Sequence, residues 1–409
     1  MISSRKIAIA GAGIGGLAAA ALLAREGHEV SVYDQFDTPK PIGCGLILQE
    51  TGLAILAELG LREQAEQLGA PLHRLHGQAV GSGRTVLDVR YDAIRPGLCG
   101  VAIQRPVLFD LVYGAAMEAG ARIVPSTRIL SVQAVSGYLT TGEGKTLGPF
   151  DLVVDALGVR SPLSSRSRTP LAYGALWTTL PWKEGLGFEK TALAQRYRQA
   201  RQMAGVMPSG RGSEAGPETL TYFWSIRADA HAAWKQAPLS DWKREATTLW
   251  PETAPLLEQL ERHDQLTFAQ YDHRTHGPVV NQRLVHLGDS WHAASPQLGQ
   301  GANMALLDAF ALARALTVHD DLDRQLRHYA AMRSGHVRLF QAMSWLFTPV
   351  YQSDSAMLAW LRDWLAAPIS KIPPAPRLLA AMVSGGIGSP LKKLGLKPGD
   401  QSPPSDLSR

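Results

Sequence analysis

Residues 6–34 read KIAIAGAGIGGLAAAALLAREGHEVSVYD and contain the pattern that decides the fold. A short apolar strand runs into a turn with four glycines, an Ala/Leu-rich helix follows to about Glu26, and a second strand covers 29–33. Strand, glycine-rich turn, helix and strand form a βαβ unit of the kind that binds a dinucleotide. The pattern therefore predicts an α/β fold built on a Rossmann-like parallel sheet.

Each glycine of this turn has an expected task. Gly11 permits the tight turn, Gly13 lets the backbone approach a pyrophosphate, and Gly16 allows the helix to pack closely on the strand. The helix N-terminus offers free N–H groups to the phosphates. An acid follows at the end of the second strand, where it can bind the ribose hydroxyls. The predicted dinucleotide contacts are Gly11, Gly13, Ile14, Gly16, Asp34 and Gln35.

Composition excludes several classes of protein. The chain has 409 residues, of which 45% are apolar and 19% charged, so it can bury a sizeable core and is not disordered as a whole. Cys44 and Cys99 form no CxxC pair, which argues against a zinc knuckle and a disulfide scaffold and favours reduced thiols in a cytosolic protein. The net charge of +5 calls for no nucleic acid partner. His273 and His276 could imitate a metal pair, but no metal site is expected.

No secretory signal or membrane span is expected. Residues 7–24 are uncharged, but their glycines make a poor membrane helix, and the dinucleotide turn explains them better.

A second motif lies in the C-terminal half. The strand RLVHL (283–287) runs into Gly288 and Asp289, then into the loop SPQLGQG (295–301) and a helix from Asn303 to Leu316. A strand that ends in Gly-Asp places a carboxylate at the carboxyl edge of a parallel sheet, where such folds bind ligands. The loop amides and the helix N-terminus can stabilise negative charge, such as that of a reduced flavin.

GDSWHAASPQLGQGANMALLDA (288–309) resembles the second FAD motif of the class A flavoprotein monooxygenases, the p-hydroxybenzoate hydroxylase-like family. Residues 42–61, 102–112 and 151–163 resemble further segments of that family. The resemblance implies that Asp34 binds the adenosine ribose, Arg105 contacts the flavin side of FAD and Asp289 binds the ribityl chain. It also implies that the following residues line the isoalloxazine, the first three as catalytic positions: Pro296, Gly299, Gln300, Gly301 and Asn303. Ala302 is a further cofactor-binding candidate.

The middle motif, DLVVDALGVRSPL (151–163), departs from the family, which has Asp-Gly where this chain has Leu157-Gly158. An acid stands two residues earlier, so Asp155 and Gly158 are the cofactor-binding candidates here. This variant resembles the geranylgeranyl reductase-like flavoproteins. A second departure is Trp291, which stands where Ala is usual and is expected to fill a hole in the core.

The resemblance implies that NADH or NADPH reduces FAD, that O2 adds at flavin C4a, and that the hydroperoxide hydroxylates an aromatic or quinonoid, lipophilic small molecule. N-oxidation and epoxidation are variants of the same chemistry. A C=C reductase of the geranylgeranyl reductase type is the alternative. A flavin halogenase ranks below it, because only Trp177, Pro181 and Trp182 suggest the motif such enzymes need. A non-enzymatic flavin redox sensor would need no substrate domain.

We expect a discontinuous FAD-binding domain over 1–68, 100–162 and 278–345, with a mixed β-sheet substrate domain over 69–99 and 163–277. A C-terminal helical tail covers 346–409, and its last dozen residues are predicted to be disordered. Within the substrate domain, Tyr222, Trp224 and His231 are the candidate substrate contacts.

The C-terminal helices carry two further expectations. A long helix over 323–347 contains Arg324, Arg327, Arg333 and Arg338, which are interpreted as a solvated face. Residues 356–366 are apolar and include Trp360 and Trp364, so they either pack in the core or a dimer seam or touch a membrane surface peripherally. The tail resembles that of the ubiquinone-biosynthesis hydroxylases, which favours membrane contact. The protein is expected to be a cytoplasmic monomer or homodimer.

Overall fold

The computed structural model describes residues 4–38, 43–164, 169–274 and 277–397. The strands, in chain order, are β1 (Lys6–Ala10), β2 (Glu29–Tyr33), β3 (Gly45–Leu48), β4 (Ala70–Leu72), β5 (Arg74–Ala79), β6 (Thr85–Arg90), β7 (Gly100–Gln104), β8 (Arg122–Val124), β9 (Ile129–Gln133), β10 (Tyr138–Thr141), β11 (Thr146–Leu147), β12 (Leu152–Asp155), β13 (Thr169–Pro181), β14 (Ala192–Arg198), β15 (Gln202–Arg211), β16 (Glu218–Arg227), β17 (Thr267–His273), β18 (Val280–Asn281) and β19 (Leu284–His286).

The helices are α1 (Ile14–Arg25), α2 (Glu50–Glu58), α3 (Arg62–Leu68), α4 (Arg105–Glu118), α5 (His231–Gln236), α6 (Leu239–Leu249), α7 (Ala254–Leu257), α8 (Asp289–His292), α9 (Gly301–Val318), α10 (Leu322–Tyr351), α11 (Ala356–Leu361), α12 (Ala367–Ile369), α13 (Ala375–Val383) and α14 (Pro390–Lys393). One turn of π-helix, Arg362–Ala366, joins α11 to α12.

Strand β1 lies inside a six-stranded sheet with the order β18-β19-β12-β1-β2-β8. All neighbours pair in parallel except β18 and β19. Side chains of β1 alternate between two layers, because successive strand residues point to opposite faces. Ile7 and Ile9 pack into the main core beneath α1, α4 and α9, whereas Ala8 and Ala10 face the small sheet β11-β10-β9. The predicted Rossmann-like architecture is confirmed.

The second large sheet is mixed and has seven strands in the order β17-β13-β16-β15-β14-β5-β6. Its strands come from residues 74–90 and 169–273, within the two segments expected to form the substrate domain. One face packs on α6 and α7 in a cluster rich in Trp and Leu, and the other face packs towards β3 and α13. Strand β4, at the start of the 69–99 segment, instead joins the three-stranded sheet β3-β7-β4.

Two helices end or extend for local reasons. Helix α6 ends at Leu249, before the Trp-Pro step at 250–251, because proline removes a helical hydrogen bond and clashes with the preceding turn. The helix predicted over 323–347 is α10, which extends further, to Tyr351. Trp291 is 4% exposed and packs against Tyr329 in the core, as expected.

By length and composition, α9 is the helix in the described residues that could cross a membrane. Its apolar side chains are instead part of the main core, in contact with α1 and α10. The residues predicted to be disordered at the C-terminus lie almost entirely outside the described ranges, as does His276.

Candidate active site

In the first motif, Gly11 and Gly16 pack against protein backbone, whereas Gly13 faces open space. Gly11 has φ +106°, and a Cβ there would lie 2.4 Å from the Ala156 carbonyl oxygen. A Cβ on Gly16 would lie 2.1 Å from the Gly11 carbonyl oxygen. Both positions therefore require glycine for packing. A Cβ on Gly13 would meet nothing within 4 Å, so the first turn of α1 opens onto free space.

Asp34 follows β2 and organises the same loop. One carboxylate oxygen accepts a hydrogen bond from the backbone N–H of Ala12 at 2.7 Å, and the other accepts from Phe36 at 3.2 Å. Each oxygen keeps a further lone pair. Gln35 is exposed beside it, whereas the Ile14 side chain is buried in the core. Any contact of Ile14 with a phosphate would therefore use its backbone N–H group.

The second motif begins where β19 ends. Gly288 has φ +58°, a left-handed conformation that glycine adopts without steric cost, and its N–H donates to Asp308 Oδ2 at 2.9 Å. The turn leaves Asp289 exposed at the start of α8. Strands β19 and β1 run parallel on either side of β12, so Asp289 and the open turn at Gly13 lie at the same edge of the sheet.

The loop 295–301 connects α8 to α9 and is held from outside by C-terminal residues. Ser295 Oγ lies 2.6 Å from Thr348 Oγ1, and the Gln297 amide donates to Gln352 Oε1 at 3.2 Å. The Gln300 Nε2 group donates to the Val383 carbonyl oxygen. The side chain of Gln300 thus positions the loop. Pro296 is exposed and Gly299 has φ +62°, so the backbone here turns towards open space.

The side chain of Asn303 faces protein. It is completely buried and accepts a hydrogen bond from the Gln49 N–H at 2.8 Å. It also donates to the carbonyl oxygens of Ile47 and Gly299, at 2.9 and 3.1 Å, and so ties β3 to the loop. Any contact of Asn303 with the cofactor would therefore use its backbone N–H group. Gly301 is exposed and Ala302 is partly exposed at the start of α9, where backbone N–H groups remain available.

Asp155 also has a different role from the one predicted. Its carboxylate is completely buried, accepts hydrogen bonds from Ser161 Oγ at 2.6 Å and from the Leu157 N–H at 3.0 Å, and contacts His286 Nδ1 at 2.8 Å. These partners fold the turn after β12, so Asp155 positions that turn without facing a ligand. Gly158, with φ +73°, lies in the turn and has open space on its Cβ side.

A buried network behind the second motif is absent from the sequence predictions. The Asp308 carboxylate contacts His292 Nε2 at 2.6 Å and Arg333 Nε at 2.6 Å, and Arg333 Nη1 lies 2.9 Å from His336 Nδ1. Burial alone would raise the pKa of Asp308, but His292 and Arg333 outweigh it and hold that pKa at about 2. The solvated-face interpretation is thus wrong for Arg333.

The remaining arginines of α10 behave as predicted: Arg324, Arg327 and Arg338 are exposed. The sequence signal for the network was limited to His292 and Asp308, which both lie in the quoted motif, because nothing local marks Arg333 as their partner.

Strand β3 lies between the loop and the seven-stranded sheet. Ile47 Cδ1 is 3.9 Å from the Cβ position of Gly299, and on the other side the Gly45 N–H donates to Thr221 Oγ1 at 2.9 Å. Thr221 Oγ1 also lies 2.6 Å from Ser209 Oγ. Arg105 begins α4, where its side chain is exposed and lies against Gly43. Strand β3 therefore lies between the loop and the face of the seven-stranded sheet that presents Thr221, which we call the β3 face of the sheet.

The candidate substrate residues Tyr222, Trp224 and His231 do not lie on the β3 face of the sheet. Tyr222 and Trp224 point to the opposite face, where both rings contact Trp242 of α6. His231 stacks on Phe268 with ring centroids 4.0 Å apart. The structure therefore places these three side chains away from the loop 295–301, because residues adjacent in a strand face opposite sides and the β3 face belongs to Thr221 and its alternates.

Aromatic and hydroxyl groups are found on the β3 face, where Thr221 is completely buried and Phe223 is nearly so. Phe223 contacts Trp177, with ring centroids 4.7 Å apart, and Trp177 Nε1 donates to the Tyr271 hydroxyl at 3.0 Å. Burial raises the pKa of the Cys44 thiol to about 11, so this side chain is an uncharged thiol near pH 7. Such groups suit a neutral, ring-shaped ligand.

The site fits FAD in two independent places. The open turn at Gly13 offers the approach that a pyrophosphate requires, and the exposed carboxylate of Asp289 suits ribityl hydroxyls at the same sheet edge. The loop backbone at 296–301 would face the isoalloxazine. No group of three or more metal-ligating side chains occurs within the described ranges.

Comparisons with known proteins agree with this geometry. The family described as FAD binding domain matches residues 4–339. The chain is 24% identical to a probable 2-heptyl-3-hydroxy-4(1H)-quinolone synthase of Rhodococcus erythropolis, over 97% of this chain and 98% of that protein. It is 26% identical to an FAD-dependent urate hydroxylase of Klebsiella pneumoniae subsp. pneumoniae, over 81% and 87% of the two chains.

A solved structure has the same fold. The tetrameric form of 2-methyl-3-hydroxypyridine-5-carboxylic acid oxygenase superposes with a TM-score of 0.76 at 21% identity, covering 95% of this chain and 98% of that one. The family match spans most of the chain and both FAD motifs. The chain therefore belongs to the FAD-binding-domain family, and it is an FAD-dependent monooxygenase, as the resemblance to the class A enzymes predicts.

Proposed function

We propose that this enzyme hydroxylates a neutral, lipophilic aromatic or quinonoid small molecule, with NADH or NADPH and O2 as co-substrates. The observation that carries the proposal is the loop 295–301, which lies across β3 from the β16 face that presents Thr221 and Phe223. In the balanced reaction, one oxygen atom enters a C–H bond of the ring and the other leaves as water. The nicotinamide supplies two electrons, and a proton is taken from solvent.

FAD supplies the oxygen activation, and the protein supplies position and exclusion of water. The loop 295–301 holds its shape through Ser295, Gln297 and Gln300, so its backbone N–H groups are fixed before a ligand binds. Preorganised donors stabilise developing negative charge without reorganisation. Trp177 and Phe223 contribute aromatic groups to the β3 face of the sheet.

The names of relatives favour a ring that carries an alkyl chain. Two relatives are named as quinolone synthases, and their named product bears a heptyl group. The groups on the β3 face are apolar, hydroxyl or thiol side chains, which suits such a ring better than it suits a charged one. The middle motif gives the reductase alternative little support, because Asp155 holds a turn instead of facing a ligand.

The cellular setting is part of the proposal. We place the enzyme in the cytoplasm as a monomer or homodimer, with peripheral membrane contact through residues 346–409. Exposed apolar side chains in that segment support the contact.

The test uses the FAD-loaded enzyme with NADH or NADPH, labelled 18O2 and a panel of alkylated quinolones, phenols and quinones. We expect a product that gains one 18O atom, with nicotinamide oxidation that requires oxygen. A C=C reductase would instead oxidise the nicotinamide without oxygen and yield a product heavier by two hydrogens. That result, or label in water alone with every substrate, would contradict the proposal.

A further inference from the structure

Exposed apolar side chains are concentrated in one part of this molecule. Thirteen large hydrophobic side chains are exposed in the described ranges, and nine of them lie between residues 345 and 378. They include Trp345, Trp360, Trp364, Ile369, Ile372 and Leu378, which are 49–72% exposed. Apolar exposure on this scale in one segment marks a surface that binds a partner. We call the exposed apolar side chains of 345–378 the tail surface.

The tail surface belongs to well-anchored elements. Ala359, Arg362 and Ala380 are buried on the protein side of the same segments. Arg362 donates to the carbonyl oxygens of Val350 and Gln199 at 3.2 and 3.1 Å. The segments are therefore held by one face while the other face presents tryptophan, isoleucine and leucine to the outside.

The second half of the tail surface is positively charged, and Asp354 in the first half is paired with Arg227. Residues 364–397 contain five Lys or Arg residues and no Asp or Glu. Lys371 and Arg377 are exposed among the apolar side chains. Arg84, at the tip of the β5–β6 hairpin, lies with its guanidinium carbon 3.5 Å from the ring centroid of Trp364. The nearby Asp363 is engaged by Arg362 at 2.7 Å.

Tryptophan with aliphatic side chains, surrounded by positive charge, is the chemistry that binds an anionic lipid surface. A second copy of the chain is a poorer partner. A symmetric dimer would bring the same patch together with itself, and Lys371 and Arg377 would then face like charge.

The tail surface is close to the site. Helix α13 carries Leu378 outside, and five residues later its Val383 carbonyl accepts the hydrogen bond from Gln300 of the active-site loop. Gly385 then packs on Thr51 at the start of α2, where a Cβ would lie 2.7 Å from its hydroxyl. One helix thus separates the tail surface from the loop.

We propose that the tail surface docks on an anionic lipid bilayer, so that the enzyme takes its substrate from the membrane. The docking stands on the tail surface alone, whereas substrate delivery rests on the proposed function.

The test is flotation of the full-length, FAD-loaded protein with vesicles of phosphatidylcholine, with or without phosphatidylglycerol. We expect binding to the anionic vesicles that weakens with added salt. The variant Trp360→Ser/Trp364→Ser/Ile369→Ser should bind at least ~10-fold more weakly. The variant Lys371→Glu/Arg377→Glu should lose the preference for anionic lipid. A matched control, Met117→Ser/Leu130→Ser/Val135→Ser, removes exposed apolar groups elsewhere and should bind as the wild type does.

Flavin absorbance and thermal unfolding verify that each variant is folded. Equal flotation of wild type and triple variant, or no flotation of the wild type, would overturn the proposal. So would a lipid-free dimer that the triple variant abolishes, because the partner would then be a second copy.

Turnover measurements separate membrane docking from the proposed hydroxylation of an aromatic substrate. If docking serves delivery, the triple variant loses activity on a vesicle-borne substrate and keeps it on a water-soluble one. If vesicles bind but no aromatic compound is hydroxylated, docking stands and the proposed function fails.

Discussion

The Arg333 Nε atom lies 2.6 Å from Asp308 Oδ1, and both side chains are completely buried behind the second FAD motif. Asp308 also accepts from the Gly288 N–H, so the ion pair fixes the turn that presents Asp289. Arg333→Met should destabilise the protein by ~3–5 kcal/mol, because it leaves a buried carboxylate without its cation. Chemical unfolding measures this loss in the free energy of unfolding. Arg338→Met, on the exposed side of the same helix, should change stability by less than ~0.5 kcal/mol. Similar losses in both variants would refute the assignment.

His336 should make stability depend on pH. Burial, and then the positive charge of Arg333, lower the pKa of His336 from 6.5 to about 3. Below about pH 6.5, the unfolded chain therefore binds a proton at His336 that the folded chain does not bind. The contribution of neutral His336 to the free energy of unfolding is fully present above that pH and is lost as the pH falls towards 3, by ~2 kcal/mol at pH 5. His336→Gln should flatten the fall in melting temperature between pH 6.5 and 5. An unchanged slope would show that His336 is not the group responsible.

Gly13 should matter for FAD and little for the fold. A Cβ there meets no protein atom, but it would occupy the space that a pyrophosphate needs. We expect Gly13→Ala to weaken FAD binding by at least ~10-fold and to leave the unfolding free energy of the apoprotein nearly unchanged. Gly114→Ala, in α4 with open space at its Cβ, is the control and should stabilise the helix by up to ~1 kcal/mol. FAD titration by fluorescence quenching measures the affinity of each variant. Wild-type affinity in Gly13→Ala would show that the pyrophosphate does not approach the backbone at Gly13.

Asp289 should contribute to FAD affinity through its charge. Hydrogen bonds to ionised groups contribute ~1.5–3 kcal/mol, so Asp289→Asn should raise the FAD dissociation constant by roughly 10- to 100-fold. Asp323→Asn changes an exposed acid in the first turn of α10 and should bind FAD normally. Full FAD occupancy of Asp289→Asn at low cofactor concentration would show that the ribityl assignment is wrong.

Two neighbours on β16 should behave differently. Thr221→Val removes the acceptor of the Gly45 N–H and so loosens β3, which lies beside the loop 295–301; we therefore expect a lower kcat/KM and more hydrogen peroxide formed for each nicotinamide oxidised. Tyr222→Phe should leave both quantities unchanged, because its ring faces Trp242. The buried Tyr222 hydroxyl has no hydrogen-bond partner in the described structure, so its removal should not destabilise the fold. An effect of Tyr222→Phe on turnover alone would place that residue at the site after all.

Much of the fold could be predicted from the order of residues alone. The turn at Gly11 needs a positive φ, Gly16 needs the absence of a side chain, and the flanking apolar runs have strand and helix periods. All of these requirements act within a few residues, so they leave a local pattern. The Gly-Asp step at 288–289 is local in the same way, and so are the Trp-Pro break after α6 and the helix α10.

What the tertiary structure decided is which layer covers each face. Thr221 and Tyr222 are equally plausible pocket residues in a strand, and only the packing of α6 on one side of the sheet separates them. Arg333 has the same local context as its exposed neighbours on α10 and is buried because Asp308 lies opposite it. Asp155 and Asn303 were expected at the cofactor, but their partners come from other strands and loops. Sequence determines the dihedral and periodic preferences of a segment, whereas the direction of a polar side chain depends on partners that only folding brings near.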